Sequence, residues 1–206
     1  MTEAALAHLS RSDKILARLI ARVGPCTLKP RNHHSPFQSL VRAVTYQQLN
    51  GIAAETIFKR FKALYPGRRF PSPGEVLATS DERLRSAGLS RAKAAAIKDI
   101  AVKTVAGVVP TSRAIVRMTD VEIVERLTAV RGVGPWTVEM LLIFKLGRPD
   151  ILPVTDYGVR KAFALIYKRK ELPKPAELLA HGEAWRPFRT TAAWYLWRAL
   201  DLPTPQ

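Results

Sequence analysis

An all-α fold is predicted by three observations on the 206-residue sequence. Apolar residues recur at three- and four-residue spacing in almost every segment, the period of a helix with one buried face. Helix start and stop signals bracket those segments. No stretch alternates apolar and polar residues as a half-buried strand would, and "GVVP" at 107–110 is too short to count.

The elements follow in order. "SDKILARLIARVG" sets Ile15, Leu16, Leu19, Ile20 and Val23 on one face and stops at Gly24-Pro25. "SPFQSLVRAVTYQQLN" opens with Pro36 behind Ser35, a favoured first helical position, and carries Phe37, Leu40, Val41 and Val44. "AAETIFKRFKALYPG" is an amphipathic helix ending at Pro66-Gly67. "RRFPSPG" at 68–74 is the best candidate for a boundary between two lobes of a single domain spanning 1–206. "SPGEVLATSDERLRSAGLS" holds two short helices with Gly88 as a C-cap, and "SRAKAAAIKDIAVKTVAG" runs from Ser90 to Gly107. "TDVEIVERLTAV" begins with a capping box, because Glu122 lies three residues after Thr119. "PWTVEMLLIFKLG", "TDYGVRKAFALIYK" and "TTAAWYLWRAL" complete the set.

Composition bounds the function. Thirty-three Lys and Arg face 17 Asp and Glu, a net charge of +16. Such a surface attracts polyanions, nucleic acid first among them. The single cysteine, Cys26, excludes an internal disulfide, a four-cysteine zinc site and an iron–sulfur cluster. The four histidines have no metal-ligand spacing, and adjacent His33 and His34 are expected in a loop near phosphate. The N-terminus lacks a signal-peptide pattern and no run reaches transmembrane length, so a cytoplasmic, nucleoid-associated protein is expected.

The most informative segment is "VRGVGPWTVEM" at 130–140. Two glycines flank Val133, a proline opens the next helix and Trp136 follows directly. Glycine admits positive φ and close backbone approach. A helix N-terminus carries partial positive charge and unpaired donors. The N–H groups of Gly132, Gly134 and Thr137 are therefore candidate phosphate donors, contacts that fix register without reading sequence. A tight turn between helices, with glycine for geometry alone, explains the same residues. Asp156 lies further on, at the mouth of a helix, where a plain N-cap also accounts for it.

"LTAVRGVGPWTVEMLLIFKLGRPDILPVTDYGVRKAF", "AVTYQQLNGIAAETIFKRF", "LRSAGLSRAKAAAIKDIA" and "WRPFRTTAAWYLW" together resemble the helix-hairpin-helix DNA glycosylases, and among them the DNA-3-methyladenine glycosylase II type. The resemblance covers most of 36–200. It implies a two-lobed helical bundle with the active cleft between the lobes, without the extra N-terminal α/β domain of larger members. It makes Asp156 the catalytic carboxylate. It puts Gly132 and Gly134 on a phosphate and a monovalent cation on the carbonyls of Thr128, Val130 and Val133. It matches "YQQLN" to the segment that plugs the gap left by a flipped nucleotide, through Gln48 or else Leu49.

The implied chemistry is hydrolysis of the C1′–N bond of an extruded nucleotide. Positive charge builds on the sugar, and a carboxylate stabilises it and orients a water. A 3-methyladenine or 7-methylguanine base is already cationic and leaves easily, so stacking on aromatic faces can carry its recognition. Trp136, Met140, Tyr157 and Trp197 are the pocket candidates, while Trp185 and Trp194 are expected in the core. Lyase-competent relatives carry a lysine where Trp136 stands, and tryptophan cannot form a Schiff base. A monofunctional, monomeric enzyme that needs no cofactor is therefore expected. Two other readings stay open: a non-enzymatic helix-hairpin-helix DNA-binding module, and a glycosylase for uracil or an oxidised purine.

Overall fold

The computed structural model describes residues 3–30 and 34–203. Among the described residues there are thirteen α-helices and no strand. No helix among them is long and apolar enough to cross a membrane. The chain divides into two compact units, one built from residues 1–30 and 147–206, the other from 31–146.

The first unit holds α1 (Glu3–Ser12), α2 (Lys14–Val23), α11 (Tyr157–Ile166), α12 (Pro175–Gly182) and α13 (Arg189–Ala199). Ile15 stands outside the core, but the rest of the predicted stripe on α2 faces it: Leu16 and Leu19 are buried, with Ile20 and Val23 packed behind them. They meet Leu9, Val159, Phe163, Leu178 and the α13 side chains in one core. Trp185 and Trp194 belong to it, as expected. Asp13 caps α2 by accepting the N–H groups of Ile15 and Leu16, both at 3.0 Å. Its other carboxylate oxygen accepts from His181 and Trp185, each at 3.0 Å, and from the Tyr167 hydroxyl.

The second unit holds α3 (Pro36–Tyr46), α4 (Gly51–Ala63), α5 (Pro73–Ala78), α6 (Asp81–Ser86), α7 (Arg91–Val105), α8 (Ser112–Ile115), α9 (Asp120–Thr128) and α10 (Pro135–Leu141). Both oxygens of the predicted capping box on α9 are engaged as expected. The helix expected through 146 changes at Leu142, where a π-helical stretch, Leu142–Leu146, succeeds α10.

The boundary expected at 68–74 is corrected: that segment lies inside the second unit, and the divisions fall at 30/31 and 146/147. Phe70 packs against Phe37, Phe58 and Phe61 at centroid distances of 5.8–6.0 Å. Ser72 forms a capping box with Glu75 at the start of α5. Prolines that look like a linker in sequence here enter a helix.

Candidate active site

The hairpin turn runs from the end of α9 to Pro135. Val130 N–H bonds Leu127 O and Val133 N–H bonds Val130 O, both at 3.1 Å, which closes the turn. Arg131 N–H donates to Asp99 at 2.8 Å and anchors it to α7. Gly132 has φ +74 and sits so near α7 that a Cβ would lie 3.0 Å from that of Ala96. Glycine is required there on both counts. Gly134 differs: its φ is −93 and nothing lies within 4 Å of a Cβ built on it. It opens the N-terminus of α10 rather than bending the chain. Among the described residues, neither glycine N–H has a bonded acceptor.

Thr137, the third expected phosphate donor, is corrected. Its N–H turns back to Gly134 O at 2.9 Å, and its side chain is buried with Oγ1 accepting Gln47 Nε2 at 3.0 Å. The third residue of this helix closes a tight first turn, so its donor faces its own cap. Of the three carbonyls matched to a cation, that of Val130 already accepts Val133 N–H and keeps its second lone pair.

Gln47 is a residue that the sequence reading passed over. It ends α3, and its amide donates to Gly132 O and Thr137 Oγ1, both at 3.0 Å. Lys93 Nζ fixes it from the other side by donating to Thr45 O at 2.8 Å and Gln47 O at 2.9 Å, a cation on the open carbonyls of a helix end. Burial pushes that amine below its ordinary pKa. Gln48 follows, exposed, in the left-handed region at φ 56, and Leu49 is also exposed. Asn50 then caps α4 by accepting Ala53 N–H. The two candidate plug residues thus stand at an exposed tip whose base is tied to the hairpin.

Trp136 and Met140 come together as expected. They line a cavity of 310 Å³ with Tyr46, Phe144, Arg42, Lys145 and His34 among its other walls. Arg42 lies 4.0 Å over the Tyr46 ring and pairs with Glu55 at 3.1 Å. Tyr46 also donates its hydroxyl to Glu55. Within the π-helical stretch, the consecutive residues Phe144 and Lys145 both reach this cavity. A wider groove of 670 Å³ in the same unit carries none of the candidate site residues. His34 is placed at the cavity; His33 lies outside the described residues.

Asp156 belongs to the first unit, where it is the N-cap of α11. Its Oδ1 accepts Val159 N–H at 2.8 Å and Trp197 Nε1–H at 2.9 Å. Gly158 leaves room beside that second bond: a Cβ there would stand 3.1 Å from Asp156 Oδ1 and 3.2 Å from Trp197 Cδ1, tighter than ordinary contact. The loop before it is held by Arg189, which bonds the Asp150 carboxylate at 2.7 Å, and by Thr190 Oγ1, which accepts Ile151 N–H at 2.9 Å. Cap and functional carboxylate are not exclusive: one oxygen serves both donors, and the group remains half-buried. Trp197, expected as a stacking wall, is first of all a donor that orients Asp156. Tyr157 opens α11 and is 64% exposed.

Two helices joined through a glycine turn, followed by a capped aspartate on the next helix, define a class. The chain belongs to the HhH-GPD superfamily of base excision DNA repair proteins, whose family model matches residues 41–187. It is 39% identical to DNA-3-methyladenine glycosylase 1 of Schizosaccharomyces pombe over 95% of this chain and 86% of that one. The structure of the fission-yeast 3-methyladenine DNA glycosylase Mag1 in complex with abasic DNA superposes with a TM-score of 0.90, covering 97% of both chains at 39% identity. The crystal structure of a DNA-3-methyladenine glycosidase from Bacillus halodurans matches at a TM-score of 0.82 and 33% identity, over 96% of this chain and 89% of that one.

Proposed function

We propose that this protein is a monofunctional DNA glycosylase that flips alkylated bases of the 3-methyladenine and 7-methylguanine class out of duplex DNA and hydrolyses them from the sugar. The observation that carries the reading is Asp156, a half-buried carboxylate fixed by two donors on one oxygen. A mere cap needs only Val159 N–H. The indole of Trp197 adds orientation, which suits a group that must face developing positive charge on the deoxyribose and direct a water to C1′.

The other roles follow. Gly132 and Gly134 N–H groups hold a backbone phosphate at the helix end, helped by the net charge of +16. The carbonyls of Thr128, Val130 and Val133 hold a monovalent cation that stiffens the turn; no cofactor takes part in the chemistry. Gln48, with Leu49 beside it, fills the gap in the duplex. The cavity walled by Trp136 and Met140 receives the base. With Trp136 in place of an amine at the start of α10, the product is an abasic site and the strand stays intact. The enzyme works as a monomer.

The test is base release from methylated duplex DNA without added metal or cofactor, read by mass spectrometry beside Asp156→Asn. Release of 3-methyladenine or 7-methylguanine by the wild type alone supports the reading. Tight DNA binding with no release by either protein returns the chain to a non-enzymatic DNA-binding role, or to uracil or oxidised purines as substrates.

A further inference from the structure

A groove of 680 Å³ in the first unit carries none of the candidate site residues. It lies at the end of α13, which packs against both α2 and α11. Both of those helices line it with cations and apolar residues at helical spacing. On α2, Arg18 and Arg22 stand four residues apart, with Ile15 and Leu19 on the same side. On α11 and just past it, Lys161, Leu165 and Lys168 follow at four and three residues. Such spacings share one helix face. The surface between the cations is apolar: Leu19 and Ala199 are buried, while Leu165 is 50% and Leu200 37% exposed. No carboxylate lines the groove, and among the described residues none of its four cations is in an ion pair. Lys168 adds a second observation. It holds φ 53 where α11 ends, and Arg169 N–H returns to Ala164 O at 2.8 Å. Glycine takes that left-handed helix end without a Cβ clash. A lysine there gives up backbone ease for a side chain at the groove.

We propose that this groove docks an acidic amphipathic helix of a partner protein, its apolar ridge on Leu165 and Leu200 and its carboxylates on Arg18, Arg22, Lys161 and Lys168. The docking does not depend on the base-excision reading. Charge complementarity chooses the occupant: cations on both sides of an apolar floor match carboxylates on both sides of an apolar ridge. Exposed apolar side chains rimmed by polar ones mark a surface that gains by being covered. The walls are helices, whose backbone groups are already paired, so an extended peptide finds no ladder to join. A helix satisfies its own backbone and offers apolar side chains at i, i+3, i+4 and i+7. A second copy of this chain is opposed by its own net charge of +16. Duplex DNA answers the cations alone, because phosphate contacts leave Leu165 and Leu200 without an apolar cover.

The probe is a fluorescein-labelled, stapled peptide helix with leucines at i, i+3, i+4 and i+7 and glutamates on both flanks. A second peptide has the same composition and charge, with the leucines scattered around the helix. Anisotropy at physiological ionic strength compares the two, so that general attraction to a basic protein is common to both. Wild type is expected to bind the first roughly tenfold more tightly than the second. The double substitution Arg18→Glu with Lys161→Glu, and separately Leu165→Gln, are each expected to weaken that binding roughly tenfold. All three side chains are exposed, so melting temperatures should hold. Methyl NMR shifts on adding the first peptide are expected at Leu19, Leu165 and Leu200. Affinity for abasic-site DNA should fall far less than affinity for the peptide. No binding, equal affinity for the two peptides, or binding that neither variant weakens overturns the proposal. Equal losses of peptide and DNA affinity in the charge-reversed protein also overturn it, and assign the groove to nucleic acid. Should wild type release no base from methylated DNA, the glycosylase reading fails while the peptide comparison still decides the role of the groove.

Discussion

The amide of Gln47 donates to the carbonyl of Gly132, a residue 85 positions away, at 3.0 Å. That bond and its companion to Thr137 join the exposed 48–49 tip to the glycine turn between α9 and α10. Gln47→Met removes both bonds while keeping the chain length. Each is worth about 1 kcal/mol, so affinity for abasic-site duplex is expected to weaken roughly three- to tenfold. The fold should survive, because Lys93 still grips the Thr45 and Gln47 carbonyls. Fluorescence anisotropy with a thermal melt measures both. An unchanged Kd would show that the tip and the turn act independently.

Gly132 and Gly134 separate fold from binding. Alanine at Gly132 meets both a left-handed backbone and Ala96 at 3.0 Å, so a loss of about 1–3 kcal/mol in stability is expected alongside weaker DNA binding. Alanine at Gly134 meets open space at an ordinary φ, so stability should hold while the new methyl obstructs the approach of a phosphate. Melting temperatures and dissociation constants for the two variants distinguish these outcomes. A Gly134→Ala protein that binds DNA like wild type would argue against a phosphate at that helix end.

What the sequence made legible was local. The α2 stripe, the Thr119 capping box and the pairing of Trp136 with Met140 one turn later rest on spacings of three or four, which helix geometry converts directly into shared faces. Asp156 was legible twice, as a cap and through family resemblance. What remained hidden depends on distant parts of the chain. Nothing within "YQQLN" says that Gln47 reaches Gly132 and Thr137 while Gln48 stays exposed. Nothing in "LIFKLG" says that a π-helical stretch brings Lys145 into an aromatic cavity. The 68–74 segment misled because proline and glycine mark helix starts as well as linkers, and only the packing of Phe70 decides between them.

Asp13 makes stability depend on acid pH. Burial alone would raise its pKa; hydrogen bonds from His181, the Leu16 N–H, Tyr167 and Trp185 outweigh that and hold the carboxyl well below the usual range. A depressed folded pKa stabilises the protein above the unfolded value of about 3.9, and the contribution is lost as pH falls through that value toward the folded one. Asp13→Asn is expected to lower stability by about 3 kcal/mol at pH 7, because three side-chain donors lose a charged acceptor. Melting curves from pH 7 to pH 3 should show the gap between the two proteins narrowing below about pH 4. A gap that stays constant over that range would mean that Asp13 acts through packing alone.

Trp197 and Gly158 test whether Asp156 must be oriented or merely present. Trp197→Phe keeps a ring against the core of the first unit but removes the Nε1–H that bonds Oδ1 at 2.9 Å. Val159 N–H still holds the same oxygen at 2.8 Å, so the cap survives and the fold should change little. The carboxylate loses the indole donor on Oδ1 and is expected to sample further orientations. A charged hydrogen bond of this kind is worth about 1.5–3 kcal/mol, so single-turnover release should slow by roughly ten- to a hundredfold, with the affinity for abasic-site DNA nearly unchanged. Gly158→Ala reaches the same contact from the backbone: its methyl lies 3.1 Å from Oδ1 and 3.2 Å from Trp197 Cδ1, tighter than ordinary contact, and pushes the indole off the carboxylate. The two substitutions share one target, so the double variant should be little slower than Trp197→Phe alone. Additive losses in the double variant would assign Gly158 a separate role, and full activity in Trp197→Phe would reduce the indole to a packing residue.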